Sequence, residues 1–492
     1  MLVVTSDVND FEYDIHSLVR AFYPGEEVRV LVGERDGHEM ISSDPGLPDI
    51  DISLFGDRLL LLLSAEDVFL PFGTDVNAGM DRRERKNVLK QLLYHALATH
   101  TGITLPWGAL TGIRPVKIPM TLLEQGFDDD EIISHMAEVY FCGEKKARLA
   151  LEIAKRERAI LSASDYRDAY SLYVAIPFCP TTCLYCSFSS YPLAKWRPHV
   201  DAYLDALFRE IDCVADLCRG KKLSTVYIGG GTPTTLTAGQ LERLLGKISD
   251  TFDLGGLREY TVEAGRADSI IDGGAPGGEK LAVLRKHGVS RISINPQSMN
   301  EKTLALIGRR HSAADVVTAF HLAREIGFDN INMDMIIGLP DEGAAEVAAT
   351  VAQIAALAPD SLTVHSLAVK RAAKLTEWVN EHGLAAITGS DETMQIAADG
   401  AAAMAMRPYY LYRQKNIAGN LENVGYATPG HEGLYNILMM EEVQDIVAVG
   451  AGAITKRLYP DGRIERRDNV KEPDQYVARV EEMIERKRQL LL

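Results

Sequence analysis

Three cysteines stand close together in Pro177-Phe178-Cys179-Pro180-Thr181-Thr182-Cys183-Leu184-Tyr185-Cys186-Ser187-Phe188. Their spacing is C-x3-C-x2-C. Thiolates are soft ligands, and three at this spacing suit zinc or an iron–sulfur cluster. A closed structural zinc site wants a fourth Cys or His, and the next candidate in the chain is His199. A [4Fe-4S] cluster held by three thiolates leaves one iron open for a further ligand. Cys142, Cys213 and Cys218 are isolated and read as buried apolar residues. Six cysteines, so clustered, do not make a disulfide framework in 492 residues.

The elements that must position this segment are legible around it. It follows directly on a β-rich run, Leu172–Ile176. Further runs are Thr225–Gly229, Tyr260–Glu263, Arg291–Asn295, Asn330–Ile337 and Leu362–Leu367. Amphipathic stretches lie between them at Pro198–Cys218, Ala238–Asp250, Gly278–His287, Ser312–Ile326 and Ala344–Leu357. Strands alternating with crossover helices predict a parallel sheet with helices outside. Six such units curl into an incomplete barrel, whose working groups sit at the C-terminal ends of the strands. The cysteines occupy such an end, which favours an open iron over a closed structural site.

Polar residues recur at the later strand ends. The second run leads into Gly229-Gly230-Gly231-Thr232-Pro233, where glycines let backbone approach a ligand. The third ends at Glu263, the fourth carries Asn295-Pro296-Gln297 and the fifth carries Asp334. A carboxylate or amide can bond two ribose hydroxyls, and a carboxylate can pair with an ammonium. Arg309, in Gly308-Arg309-Arg310-His311, can fork onto a carboxylate. Each residue alone is as readily a satisfied core or capping group.

Three domains are expected: an α+β N-terminal domain over 1–165, the partial barrel over 166–380 and a mainly α C-terminal domain over 381–492, covering the substrate. The first opens with strands at Leu2–Thr5, Val28–Val32 and Leu59–Leu63. Helices follow from Arg82, at Asp130–Val139 and at Lys145–Leu161. The loop Leu110–Lys117 offers Arg114 and Lys117 to a ligand, but reads more readily as solvated. The last part holds a helix near Asp391–Met406, the tyrosine-rich Pro408–Asn416, and a helical run from Glu441 into Gly450-Ala451-Gly452-Ala453. Gly273–Gly278 reads as a flexible loop. Lys and Arg total 52 against 69 Asp and Glu, so the net charge of -17 argues against a nucleic-acid partner. No signal peptide and no membrane span is evident, and the expected location is the cytoplasm.

The cysteine motif, with an aromatic before its third Cys and on the first strand of such a barrel, resembles the radical S-adenosylmethionine (SAM) superfamily. Tyr173-Val174-Ala175-Ile176-Pro177-Phe178-Cys179 is similar to the entry segment of the oxygen-independent coproporphyrinogen oxidase family. Gly419-Asn420-Leu421-Glu422-Asn423-Val424-Gly425-Tyr426 and the separate N-terminal part resemble its HemZ branch. The resemblance implies an incomplete (β/α)6 TIM-like radical SAM barrel and two cofactors, a [4Fe-4S] cluster and SAM. It assigns the metal to Cys179, Cys183 and Cys186. It gives the amino group of SAM to Gly230, Gly231, Thr232 and Glu263, and the ribose to Gln297 and Asp334. Arg309 takes the carboxylate, Ala368 touches adenine, and Tyr173 stands beside the sulfonium.

The implied reaction is radical decarboxylation of two propionates of coproporphyrinogen III to vinyls, giving protoporphyrinogen IX in haem biosynthesis. It needs an electron donor and an electron acceptor, neither named by the sequence. A tetrapyrrole with four carboxylates needs a locally basic pocket, for which Arg310, Arg413, Lys415, Lys195 and Arg197 are candidates. Tyr409, Tyr410 and Tyr412 either stack on the macrocycle or are simply buried. Two departures bear on the reading. Phe188 stands where the motif of the related dehydrogenases continues as C-x-C. The haem-chaperone branch carries HNxxYW after YAxPG, whereas here Tyr426-Ala427-Thr428-Pro429-Gly430 precedes Tyr435-Asn436-Ile437-Leu438-Met439-Met440, with His431 nearby. A haem-binding chaperone and another tetrapyrrole-modifying radical SAM enzyme are the alternatives.

Overall fold

The computed structural model describes residues 1–33, 49–65, 68–77, 79–188, 190–271, 278–368, 374–383, 389–414 and 420–492. The chain forms two compact units, Met1–Lys155 with Arg413–Glu422, and Arg156–Tyr412 with Asn423–Leu492.

The first unit holds strands β1 (Leu2–Ser6), β2 (Val28–Val32), β3 (Ile50–Phe55), β4 (Arg58–Ala65) and β5 (Val68–Asp75). They form one sheet in the order β2-β1-β3-β4-β5. Its helices are α1 (Glu12–Phe22), α2 (Arg82–Thr101), α3 (Lys117–Glu124), α4 (Asp129–Tyr140) and the start of α5 (Glu144–Ser162). Alternate leucines of β4, Leu59, Leu61 and Leu63, pack with Ile15, Leu18, Leu93 and Leu97 of α1 and α2. A capping box of Asp81 and Glu84 starts α2. The alternation and 3.6-residue periodicity expected for β1, β2, β4, α2, α4 and α5 are all realised. The strands β3 and β5 and the helices α1 and α3 are additional. Pro71 and Gly73 hide β5, which tolerates them as an edge strand.

The expected substrate cation Arg413 belongs to this unit. It is buried, donates to the carbonyls of Leu110 and Asn420 and lies over the Trp107 ring at 5.7 Å. Glu422 accepts from Trp107 Nε1 at 2.8 Å and from Lys146 Nζ at 2.6 Å. Burial draws the Arg413 guanidinium down to about 10, against the opposing pull of Glu422. Arg413 is therefore a core tether, not a free ligand for a carboxylate. Lys415 lies outside the described residues.

The second unit carries β6 (Ala169–Ile176), β7 (Phe178–Cys179), β8 (Tyr191–Pro192), α6 (Leu193–Trp196), α7 (Val200–Leu217), β9 (Lys222–Gly230), α8 (Ala238–Thr251), β10 (Glu259–Glu263), α9 (Ala267–Ile270), α10 (Gly278–Lys286), β11 (Arg291–Ser293), α11 (Glu301–Leu306), α12 (Ala313–Ile326), β12 (Ile331–Ile337), α13 (Ala344–Leu357) and β13 (Ser361–Ser366). All six expected strands form, parallel and in the order β6-β9-β10-β11-β12-β13. Their C-terminal ends therefore share one edge, the edge from which the cysteine segment leaves β6. The expected loop at Gly273–Gly278 falls outside the described residues up to Gly278, which starts α10.

The C-terminal part differs from the mainly α domain expected over 381–492. It contains α14 (Leu375–His382, beginning before it), α15 (Asp391–Ala403), β14 (Arg407–Tyr412), β15 (Asn423–Ala427), α16 (Leu434–Glu441), β16 (Asp445–Val449), β17 (Ile454–Leu458), β18 (Ile464–Asp468), α17 (Pro473–Ala478) and α18 (Val480–Leu491). Its strands extend both ends of the parallel sheet. β15 and β14 add beyond β13, and β16, β17 and β18 add beyond β6, making eleven strands among the described residues. The run expected to be helical from Glu441 is β16, a parallel neighbour of β6. A short apolar run buried on both faces shows no period that separates strand from helix. The tyrosine-rich stretch is β14, with Tyr409 and Tyr410 in the core.

Candidate functional site

At the end of β6 the chain makes one short pair, β7 with β8, and then loops through the cysteines. Cys179 and Cys183 are buried and Cys186 is half-buried. Cys183 and Cys186 both lie near Cys179. Burial pushes the Cys179 thiol up to about 11, partly offset by a hydrogen bond with Thr232, Sγ to Oγ1 3.5 Å. Two backbone bonds clamp the glycine turn to this loop: Gly231 N donates to Ile176 O and Thr232 N to Phe178 O, each at 2.7 Å. A Cβ at Gly231 would lie 2.5 Å from the Phe178 carbonyl oxygen, and Gly230 has φ +105°. Both positions thus need glycine to seat one strand end against the other.

The loop is also tied to later crossovers. Leu184 N donates to Ile307 O at 3.0 Å and Thr181 Oγ1 to Gly308 O at 2.9 Å. Arg309 follows. It donates to the Asn295 carbonyl and, at 3.0 Å, to the hydroxyl of Tyr185, the aromatic between the second and third cysteines. Burial works against its charge, but Tyr185 and the Cys183 thiol outweigh burial and hold the guanidinium charged.

Tyr173, Tyr227, Glu263, Asn295, Asp334 and His365 share one face of the sheet. Glu263 accepts from the Tyr227 hydroxyl and from Asn295 Nδ2, the latter at 2.9 Å. Burial, and then Asp334 nearby, pushes the Glu263 carboxyl above the usual range. Asp334 accepts from Asn332 Nδ2 at 2.7 Å and lies 3.5 Å from His365 Nε2. Burial opposes its charge, but His365, Asn332 and Thr363 together hold it below the usual range. Gln297 has φ +68° and exchanges backbone bonds of 2.9 Å with Asp334 and Ile336. Ala368 is buried just beyond β13.

Toward the N-terminal end of this face three tyrosines stack. Tyr435 of α16 lies on Tyr227 at 4.5 Å between ring centroids and on Tyr173 at 6.3 Å. Glu259, at the start of β10, accepts from the backbone N–H groups of Leu434 and Tyr435 and so docks the first turn of α16. These contacts put the α16 start at the N-terminal ends of the strands, opposite the cysteines.

The expected site residues divide as follows. Tyr173, Glu263 and Asp334 join one polar face with Asn295. Gly230, Gly231 and Thr232 pack on the cysteine loop, and Arg309 reaches it through Tyr185. Lys195, Arg197 and Arg310 are exposed, while Tyr409 and Tyr410 are packed inside. His199 is exposed, with its ring against Trp196 at 5.9 Å. Among the described residues no His, Cys, Asp and Glu side chains converge as ligands of a single metal ion. Tyr227, Arg266 and His365 went unnoticed in the sequence, while Tyr185 entered only as the aromatic of the cysteine motif and Tyr435 only as a departure from the haem-chaperone motif. Tyr185 had a signal, its place between two cysteines; the others gain their place only through the fold.

The chemistry of this set suits a cluster and a zwitterionic nucleotide. It offers three free thiols, and three buried polar atoms without a hydrogen-bond partner: Asn295 Oδ1, Gln297 Oε1 and Arg309 Nε. Residues 173–354 match the family model of the radical SAM superfamily. The chain is 40% identical over 424 residues to the oxygen-independent coproporphyrinogen-III oxidase-like protein HemZ of Bacillus subtilis, covering 85% of this chain and 83% of that protein. This chain belongs to the radical SAM superfamily, in the HemZ family. The superfamily uses a [4Fe-4S] cluster and SAM. The radical SAM chain is also 29% identical to the haem chaperone HemW of Escherichia coli, over 62% of itself and 74% of that protein. Among solved structures, coproporphyrinogen III oxidase (HemN) from Escherichia coli matches with a TM-score of 0.50 at 24% identity, over 66% of this chain and 73% of that one. That likeness concerns the fold. No described helix is long and apolar enough to cross a membrane.

Proposed function

We propose that this chain catalyses the oxygen-independent oxidative decarboxylation of tetrapyrrole propionates, with coproporphyrinogen III as substrate and protoporphyrinogen IX as product. The observation that carries the reading is the set of buried, unpartnered polar atoms on Asn295, Gln297 and Arg309 beside the cysteine loop. Buried polar groups are normally satisfied, so three together point to a ligand that completes them. The relationship to HemZ supports the tetrapyrrole.

Cys179, Cys183 and Cys186 hold the cluster as thiolates. Glu263, with the backbone of Gly230, Gly231 and Thr232, receives the amino group of SAM. Arg309 receives its carboxylate, Gln297 and Asp334 its ribose, and Ala368 its adenine. When bound, cluster and SAM supply one-electron chemistry that takes a hydrogen atom from an unactivated carbon. Tyr173, Tyr227 and Tyr435 close the underside of the site and exclude water from it. Each propionate loses carbon dioxide, a hydrogen atom and one electron, so a one-electron donor and an electron acceptor complete the balance.

Tyr435 also bears on the haem-carrier alternative. It occupies the position of the histidine in the haem-chaperone motif, yet it is 6% exposed and stacked on Tyr227. A buried phenol there supports catalysis over haem ligation. The test is anaerobic turnover with coproporphyrinogen III, SAM and a strong reductant, read by mass spectrometry. Loss of two carboxyl groups is expected. Retained haem without decarboxylation, or a gain of methyl, overturns the proposal.

A further inference from the structure

Behind Cys183 stands a buried cation that the proposed reaction does not use. Arg266 follows the end of β10 and is 3% exposed. Its Nη1 donates to Thr181 Oγ1 at 2.7 Å, to the Thr181 carbonyl at 3.2 Å and to Cys183 Sγ at 3.7 Å. Its Nε and Nη2 fork onto Asp268 at 2.9 and 2.6 Å. Asp268 in turn lies 3.5 Å from His311 Nδ1, on a side chain with no exposure. The guanidinium is thus held on both edges, and one N–H is aimed at a cysteine sulfur. A solvated arginine could relax away from the sulfur; this one is fixed.

We propose that Arg266 is a positioning residue that sets the reduction potential of the cluster through its bond to the Cys183 sulfur. This rests on the reading of the three cysteines as cluster ligands. An electron added to an iron–sulfur cluster is shared with its thiolates. A donor or cation at a thiolate therefore stabilises the reduced state more than the oxidised one and raises the potential. Burial strengthens the effect, because little water screens the charge. Asp268 holds the guanidinium in place and at the same time opposes its field. The two residues thus pull in opposite directions: Arg266 makes the cluster easier to reduce, and Asp268 makes it harder. Arg309, a second buried cation near Cys183, bonds to Asn295 and Tyr185 rather than to a sulfur.

The test compares the wild-type chain with Arg266→Gln and Asp268→Asn, each reconstituted anaerobically with iron and sulfide. Reductive titration is followed by electron paramagnetic resonance, with iron per chain measured alongside. In R266Q the reduction equilibrium is expected to fall about tenfold, which is about 59 mV for a one-electron couple. In D268N it is expected to rise. A part that only holds the loop together would not give shifts of opposite sign. Should R266Q fail to keep iron, Arg266→Lys takes its place, since it keeps the charge without the fork; its potential must lie below wild type. An unchanged potential in a fully loaded Arg266 variant, or shifts of one sign in both, overturns the proposal. A wild-type chain that holds no cluster sinks the reading of the cysteines, and this inference with it; that outcome is visible in the iron content alone.

Discussion

Glu263 is a carboxyl that burial pushes toward its neutral form, with Asp334 adding to the push. An arriving ammonium reverses that preference, because it pays only if the carboxylate is charged. SAM binding should therefore strengthen as pH rises through the raised value and weaken below it. Glu263→Gln removes the charge at every pH. It should cost tenfold or more, taking about 1.5–3 kcal/mol for a hydrogen bond to a charged group, and flatten the pH dependence. Equilibrium dialysis of labelled SAM at several pH values decides it; an unaltered pH profile in the variant removes Glu263 from the site. Glu157 of α5 offers a second titration. It is 1% exposed, its Oε2 has no partner, and burial followed by Glu441 lifts its carboxyl well above the ordinary 4.5. A raised acid contributes stability that is full below its unfolded value and is lost as pH rises through its folded one. Glu157→Gln should then melt higher than wild type at pH 8 and no higher at pH 4. Equal differences in melting temperature at both values would refute the assignment.

The glycine turn after β9 and the cysteine loop after β6 form one mechanical part. Gly231→Ala would drive a methyl to 2.5 Å from the Phe178 carbonyl oxygen, which is backbone and cannot swing aside. The expected loss is about 1–3 kcal/mol, seen as a lower melting temperature, and cluster loading should fall with it. A variant as stable as wild type means the loop has slack the packing denies. The six parallel strands were legible because each is a β-rich run and a helix-period stretch separates each from the next. β5 and β16 were not. Pro71 and Gly73 disguise an edge strand. Asp445–Val449 is an apolar run too short for its period to say strand or helix, and only pairing with β6 decides it.

At the scale of the whole molecule, the last helix is bound back to α7 by an ion pair that is almost completely dry. Lys487 of α18 donates to Glu210 of α7, with 2% and 0% side-chain exposure. Glu210 also accepts from Tyr476, Asn469 and the Gly450 N–H, the turn that follows β16. Lys487→Met leaves Glu210 buried without its cation, and breaking such a pair costs about 3–5 kcal/mol. Urea denaturation should show the loss, with the double variant Lys487→Met, Glu210→Gln recovering part of it. No recovery would mean that the charge of Glu210 is not the source of the cost. The net charge of -17 belongs to this scale too. The proposed tetracarboxylate substrate needs free cations, and Arg413 is not among them, being spent inside the first unit.

By itself the sequence determined the cysteine spacing, the six parallel strands and the polar residue at each strand end. These are local facts: motif spacing, periodicity and turn chemistry act over a few neighbours and need no knowledge of the fold. Only the tertiary structure decided which cations are free and which are spent, as with Arg413 against Trp107, and that Arg266 reaches Cys183. It alone seated Tyr435 against Tyr173 and joined the strands of residues 407–468 to the sheet. Such pairings join residues tens to hundreds of positions apart, and no local period encodes them; burial and the need to satisfy buried polar groups select them once the sheet has formed.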